Sequence, residues 1–123
     1  MKLLESAENY LEAILMVGEE RGNVRSIDIV NHLGFSKPSV SVAMKQLETN
    51  DYISRDKDGN IFLTESGREI AEMIYERHKF LTELFEEMGV SHETAIDDAC
   101  KVEHDISEET FECLRKYIKT KQK

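Results

Sequence analysis

Three residues in the C-terminal half of the chain have the types and the spacing of metal ligands. Cys100, Glu103 and His104 stand at positions i, i+3 and i+4 of a segment with helical periodicity. These positions share one face of a helix, so a thiol, a carboxylate and an imidazole would project from a single turn. All three groups bind divalent transition metals. The spacing therefore predicts a metal site, whereas the simpler reading is a solvated helix face.

Weaker candidate ligands lie in two other segments. His78 stands between two bases in a long helical pattern, and near the N-terminus Glu12 can share a helix face with either Glu8 or Asn9. A single helical histidine is more often a packing or surface residue than a ligand, and charged helix faces are usually only solvated. The residue types alone leave these positions open.

The first half of the chain has the element order of a winged helix-turn-helix. A short helix with Ser26 as its expected N-cap ends at Gly34, where a tight turn needs a permissive backbone. Ser36 then caps a second helix. Two short apolar runs, 52–55 and 61–63, surround an Asp-Gly turn and predict a β-hairpin. In DNA-binding proteins of this order, the second helix enters the major groove.

Candidate DNA-binding residues follow from this arrangement. The start of the second helix carries small hydroxyls and a valine that suits a thymine methyl, and bases lie along that helix and in the hairpin. The alternative is a helical pair whose polar face is only solvated. The residues that we predict at a DNA interface are Arg25, Ser36, Lys37, Pro38, Ser39, Ser41, Val42, Lys45, Arg55 and Lys57.

The second half of the chain predicts three further helices. Thr64 caps a long one that ends at Gly89, the next extends to about Asp105, and Ser107 caps the last. The apolar residues of the last helix are expected to face inward, namely Phe111, Leu114, Tyr117 and Ile118.

Composition restricts the classes of function. The net charge is −9. When the chain is divided into residues 1–20, 21–68 and 69–123, bases outnumber acids only in the middle block, by seven to six. Such a chain does not suit indiscriminate, nucleoid-type DNA binding. No apolar run approaches the roughly 18 residues of a membrane span, and the start lacks a signal-peptide core. We therefore expect a cytoplasmic protein whose two cysteines are reduced.

Five stretches of the chain match one known family, namely 7–12, 36–47, 63–67, 77–79 and 98–104. Together they resemble the diphtheria toxin repressor / manganese transport regulator family of metal-dependent repressors. The stretch 98–104 is the most specific, because the family's ligand helix carries Cys or Glu, then Glu, then His at these offsets. The resemblance implies a mainly α fold, with a winged helix-turn-helix DNA-binding domain at 1–68 and a helical metal-binding and dimerisation domain at 69–123.

The resemblance also implies ligands and partners. Family members bind DNA as dimers when Fe²⁺ or Mn²⁺ is bound, so we expect a homodimer on a palindromic double-stranded operator, with half-sites about one helical turn apart and no membrane partner. The chain resembles the short form, without an SH3-like domain. The implied metal ligands are Asn9, Glu12, His78, Cys100, Glu103 and His104.

The ligand types bear on the choice of metal. Cys100 follows the iron-type branch of the family, Glu12 is more like the manganese-type branch, and Asn9 departs from both. A thiolate disfavours Mn²⁺ relative to Fe²⁺, Co²⁺ or Zn²⁺. We therefore expect an Fe²⁺-dependent repressor of metal-homeostasis genes, with Mn²⁺ as the second choice and Zn²⁺ or Co²⁺ able to substitute in vitro.

Two other classes compete with this hypothesis. One is a winged-helix regulator that uses no metal, with the acidic half serving dimerisation or an organic ligand. The other is a metalloenzyme, but the sequence has no nucleophile–base arrangement, no HEXXH spacing and no phosphate-binding loop, so we expect no enzymatic activity.

Overall fold

A computed structural model describes residues 5–121, so the outer ends of the two predicted domains, Met1 and Lys123, lie outside the described residues. The described residues form two compact units, which divide between Tyr75 and Glu76. The mainly α class is confirmed. The elements are α1 (Glu5–Arg21), α2 (Ser26–Leu33), α3 (Lys37–Thr49), β1 (Ile53–Arg55), β2 (Ile61–Leu63), α4 (Glu65–Glu87), α5 (His92–Asp105) and α6 (Glu108–Lys121).

The turn between α2 and α3 forms as predicted. Gly34 has a φ of 74°, in the left-handed region that a side chain would disfavour, and its N–H donates to the carbonyl of Val30 at 2.9 Å. Two residues later, the Ser36 hydroxyl accepts a hydrogen bond from the Ser39 N–H at 3.2 Å and caps α3. Pro38 lies in the first turn of α3, where its missing N–H has no helical partner to lose. These features set the point at which α3 begins.

The predicted N-cap of α2 was wrong. Ser26 is the first helical residue, and the N-cap position belongs to Arg25 in extended conformation. The Asp28 carboxylate accepts from the Arg25 N–H at 2.9 Å and from the Arg21 guanidinium at 3.2 Å. A carboxylate in the first turn of a helix also interacts favourably with the helix dipole, so Asp28 stabilises the start of α2 although no serine caps it.

A two-stranded antiparallel hairpin follows α3. Its register pairs Ile53 with Leu63 and Arg55 with Ile61. The N–H of Ile61 also donates to the Val24 carbonyl at 2.7 Å, which ties the hairpin to the segment before α2. The hairpin is therefore the wing that the sequence predicts.

The core of the first unit lies among α1, α2, α3 and the wing. Its fully buried side chains include Leu11, Ile29, Val40 and Met44. Each contributes about 1.5–3 kcal/mol relative to an exposed position. Helical spacing of these residues on each helix leaves the opposite faces, including that of α3, in water.

The second unit contains the last part of α4 together with α5 and α6. Leu81, Ala99 and Phe111 form its buried cluster. Tyr117, predicted to face inward, is 58% exposed in this chain and lies under the Lys121 ammonium, 5.3 Å from the ring centroid. The helical period correctly places Phe111 in the core, but the apolar face of α6 is wider than the part of it that the described residues cover, so Tyr117 stays exposed.

Candidate metal centre and nucleic-acid interface

The three predicted ligands of α5 converge in the second unit. One potential ligand atom from each of Cys100, Glu103 and His104 lies within 4.8 Å of the others. Atoms held about 2.0–2.3 Å from one ion lie at most about 4.6 Å apart, so only a small adjustment is needed for a shared ion. The side chains of Glu103 and His104 are fully buried, and Cys100 is partly buried. The predicted helical face therefore forms.

Glu103 lies between two imidazoles. Its Oε2 is 3.3 Å from Nδ1 of His78 on α4, and its Oε1 is 3.6 Å from Nε2 of His104. Neither carboxylate oxygen accepts a hydrogen bond from any residue that the structure describes. A buried carboxylate normally has such bonds, because desolvating its charge is costly. The free lone pairs, beside a thiol and two imidazoles, fit the donor set of a first-row divalent ion.

The remaining two predicted ligands lie on α1, in the first unit. Asn9 and Glu12 are three positions apart, so they face the same side of that helix. Asn9 is partly buried and Glu12 is 5% exposed. A glutamate buried to this degree is uncommon without a specific role. Within the second unit, the structure brings together the other four predicted ligands.

The N-terminal half of α3 presents an exposed polar face. Ser41 and Lys45 are exposed, and Val42 is 57% exposed. Lys37 is also exposed at the start of the helix. Several predicted contact residues are thus available on one side of α3.

The two serines at the start of α3 already have local partners. Besides capping the helix, the Ser36 hydroxyl donates to the Ser39 hydroxyl at 2.9 Å. Just before them, Phe35 packs edge-on against Tyr10 of α1, with ring centroids 5.8 Å apart. Burial raises the pKa of Tyr10. These contacts hold the start of α3 against α1.

Three of the predicted bases lie in the wing or beside it, in different surroundings. Lys57 is exposed in the turn, and the Arg25 guanidinium lies beside Gly59 of the same turn. Arg55 instead forms two hydrogen bonds to one oxygen of Glu48 on α3, at 2.8 and 3.2 Å. The pairing of Arg55 with Glu48 was not predictable from the sequence, because no spacing rule pairs the end of a helix with the strand that follows it.

The wing turn is organised by Asp56. Its carboxylate accepts from the backbone N–H groups of Asp58 and Asn60, each at 2.9 Å, and from the Asn60 side chain at 3.0 Å. These bonds, led by that of the Asn60 side chain, lower the pKa of Asp56. The turn therefore has a defined shape next to Lys57.

Comparison with known proteins identifies the family. Residues 2–61 match the protein family described as "Iron dependent repressor, N-terminal DNA binding domain". Residues 64–123 match the family described as "Iron dependent repressor, metal binding and dimerisation domain". The transcriptional regulator MntR of Escherichia coli O6:H1 is 35% identical over 111 residues, which cover 90% of this chain and 72% of that protein. The chain belongs to the iron-dependent repressor family.

Other relatives agree with this assignment. The HTH-type transcriptional regulator MntR of Bacillus pumilus is 32% identical over 83% of this chain and 71% of its own length. The solved structure of the manganese regulator SloR superposes with a TM-score of 0.80 at 25% identity and covers 92% of this chain. This chain spans 53% of the SloR chain, about half its length.

The family assignment confirms several predictions. This repressor is a metal-dependent transcriptional regulator with a DNA-binding domain and a metal-binding and dimerisation domain. Its partners are accordingly DNA, a divalent metal ion and a second copy of the chain. The relatives are regulators rather than enzymes, in agreement with the expected lack of enzymatic activity. None of the described helices is both long and apolar enough to cross a bilayer.

Proposed function

We propose that the repressor senses Fe²⁺ through the α5 cluster and, when loaded, binds operators of metal-homeostasis genes in the bacterial cytoplasm. The observation that carries this proposal is the convergence of Cys100, His104 and His78 on the buried Glu103 carboxylate, which accepts no hydrogen bond from residues 5–121. A divalent ion would supply the positive charge that offsets this carboxylate. In return, the thiolate, carboxylate and imidazoles would provide three kinds of ligand atom.

Asn9 and Glu12 are proposed as further ligands. The family resemblance supports this, as does the burial of Glu12 on α1. A bound metal ion would change DNA affinity only to the extent that it binds more tightly to the DNA-competent form of the protein.

DNA recognition is proposed to rest on α3 and the wing. Exposed Ser41, Val42 and Lys45 would reach base edges and phosphates in the major groove, while Lys57 and Arg25 would contact the backbone near the wing. A symmetric dimer presents two such surfaces, so we propose a palindromic operator with half-sites about one helical turn apart.

The metal preference depends on Cys100. A thiolate among the ligands supports Fe²⁺, whereas carboxylate-rich sites suit Mn²⁺. The second candidate is an Mn²⁺-responsive repressor of metal uptake, which is favoured by the similarity to the manganese regulator SloR and to proteins named MntR.

Competitive metal titrations under anaerobic conditions separate the two candidates. Wild-type protein is expected to prefer Fe²⁺ to Mn²⁺, and Cys100→Glu is expected to shift the ratio of the two affinities toward Mn²⁺. Cys113→Ala is the matched control, because Cys113 is exposed and lies outside the cluster. A ratio that is the same in wild type, Cys100→Glu and Cys100→Ala would refute the role of Cys100.

A further inference from the structure

Arg77 is a buried arginine beside the metal centre with no role in the function described so far. It is only 6% exposed, although arginine is rarely buried without specific partners. One guanidinium nitrogen, Nη1, donates to the carbonyl oxygens of Glu103 at 3.2 Å and of Ile106 at 3.1 Å. The first of these carbonyls belongs to the ligand residue whose carboxylate lies at the centre of the cluster.

The two carbonyls lie where α5 ends. The last carbonyls of a helix lack partners within the helix. At the end of α5, the Ile106 N–H donates to the Val102 carbonyl at 3.1 Å, which leaves the later carbonyls to other donors. Arg77 supplies donors for the Glu103 and Ile106 carbonyls and puts a positive charge at the negative end of the helix dipole. It therefore fixes the backbone of the turn from which Glu103 and His104 project.

Packing holds the Arg77 guanidinium in this position. Its central carbon lies 5.4 Å from the ring centroid of Phe111 on α6, within cation–π range. The same ring packs edge-on against Phe80, with centroids 5.5 Å apart. Arg77 thus connects α4, the end of α5 and the core of the second unit.

We propose that Arg77 is a positioning residue for the metal centre: its two hydrogen bonds set the directions in which Glu103 and His104 present their ligand atoms. This inference rests on the proposed metal site and concerns its pre-organisation. Partners of ligand residues that do not touch the ion typically change metal affinity by about 10–100-fold when they are removed. The loss of Arg77 is expected to fall in that range.

The test is Co²⁺ titration of the full chain, followed by absorption spectroscopy. The thiolate-to-cobalt band reports Cys100, and the visible d–d bands report the number and geometry of ligands. Arg77→Met keeps an apolar stem but removes both donors, and Arg77→Lys restores a charged donor. Arg115→Gln is the matched control, since Arg115 lies 5.7 Å from the same Phe111 ring and no hydrogen bond to the end of α5 is found for it among the described residues.

We expect Arg77→Met to bind Co²⁺ about 10–100-fold more weakly, with altered d–d bands and a retained thiolate band. Arg77→Lys should lie between Arg77→Met and wild type, and Arg115→Gln should match wild type. Circular dichroism and thermal melting of the metal-free proteins show which variants fold. If Arg77→Met does not fold, the Co²⁺ affinity and spectrum of Arg77→Lys decide the test. Wild-type affinity and spectrum in every folded Arg77 variant would overturn the inference.

A separate result would show that the proposed metal site itself is wrong. That result is the absence of a thiolate band in wild type, or the same band in Cys100→Ala. In that case both the proposed metal site and the role of Arg77 would be refuted. If wild type shows the thiolate band and the Arg77 variants bind Co²⁺ as wild type does, only the role of Arg77 is refuted.

Discussion

Replacing Glu103 by glutamine should separate stability from metal response. In the metal-free protein, the carboxylate is fully buried and neither oxygen accepts a hydrogen bond from a described residue. A neutral amide of the same shape avoids the additional desolvation cost of the charge, which is at least about 1 kcal/mol. We therefore expect metal-free Glu103→Gln to be as stable as wild type or more stable, by about 1 kcal/mol.

With metal present, the order of stabilities should reverse. A ligand at 100 times its Kd stabilises the native state by about 2.7 kcal/mol. With an unfolding entropy of about 2.1 cal/mol/K per residue, the 123 residues give a rise in Tm of roughly 10 °C for wild type. Loss of a ligand charge should weaken binding at least about 100-fold, more than loss of an outer partner, so the variant should rise by no more than roughly 2 °C.

The assay is thermal unfolding by circular dichroism, without oxygen, at fixed protein concentration, with chelator or with Fe²⁺, Mn²⁺ or Co²⁺. Glu93→Gln is the matched control, because Glu93 is an exposed glutamate on the same helix. Its metal response should equal that of wild type. Two results would refute the reasoning: a full metal-induced rise in the Glu103→Gln variant, or a metal-free variant destabilised by several kcal/mol.

Three further predictions concern the DNA-binding half. Glu48→Gln frees Arg55 for phosphate, so DNA affinity should rise and the slope of log K against log salt should steepen by about 0.9, as measured by anisotropy. Gly67→Ala should destabilise the protein by about 1–3 kcal/mol in denaturant unfolding, since a Cβ there would lie 2.0 Å from the Tyr52 carbonyl oxygen. Hydrogen bonding holds the folded-state pKa of Asp56 below its ordinary value of 3.8, so its contribution to stability is complete only well above pH 3.8 and is lost as pH falls through the folded-state pKa. The melting difference between wild type and Asp56→Asn should shrink as pH falls through that range.

Controls for these predictions come from the same unit. Glu69→Gln removes the same charge at an exposed position of α4, so a slope change equal to that of Glu48→Gln would contradict the role of Arg55. Ser66→Ala, next to Gly67, should change stability by less than about 0.5 kcal/mol. A difference between wild type and Asp56→Asn that stays constant down to pH 3 would contradict the lowered pKa of Asp56.

The features that were predictable from sequence are those with local physical causes. Ser36, Thr64 and Ser107 each accept a hydrogen bond from the N–H three residues later, so their positions before apolar-periodic segments were sufficient to identify the caps. The shared face of Cys100, Glu103 and His104 on α5 was predictable for the same reason, because the i, i+3, i+4 spacing acts within one turn, while their role as ligands stays a prediction.

The features that were not predictable depend on partners distant in sequence or on competition between local ones. The role of Arg77 at the end of α5 was not predictable, because its hydrogen bonds to the Glu103 and Ile106 carbonyls span 26 and 29 residues. Ser26 is not the cap because α2 begins one residue earlier than its sequence suggests, where the Asp28 carboxylate accepts from the Arg25 N–H. Tyr117 has an apolar ring at the right helical spacing, but the spacing cannot say whether a surface is present to cover it.

The measurement that tests the central claim is fluorescence anisotropy of the protein on its own upstream DNA, performed without oxygen with chelator, Fe²⁺ or Mn²⁺. We expect weak binding with chelator and strong binding with metal in wild type, and no metal stimulation in Glu103→Gln. Equal binding with chelator and with metal would contradict it, and would leave a winged-helix DNA-binding protein without a metal switch.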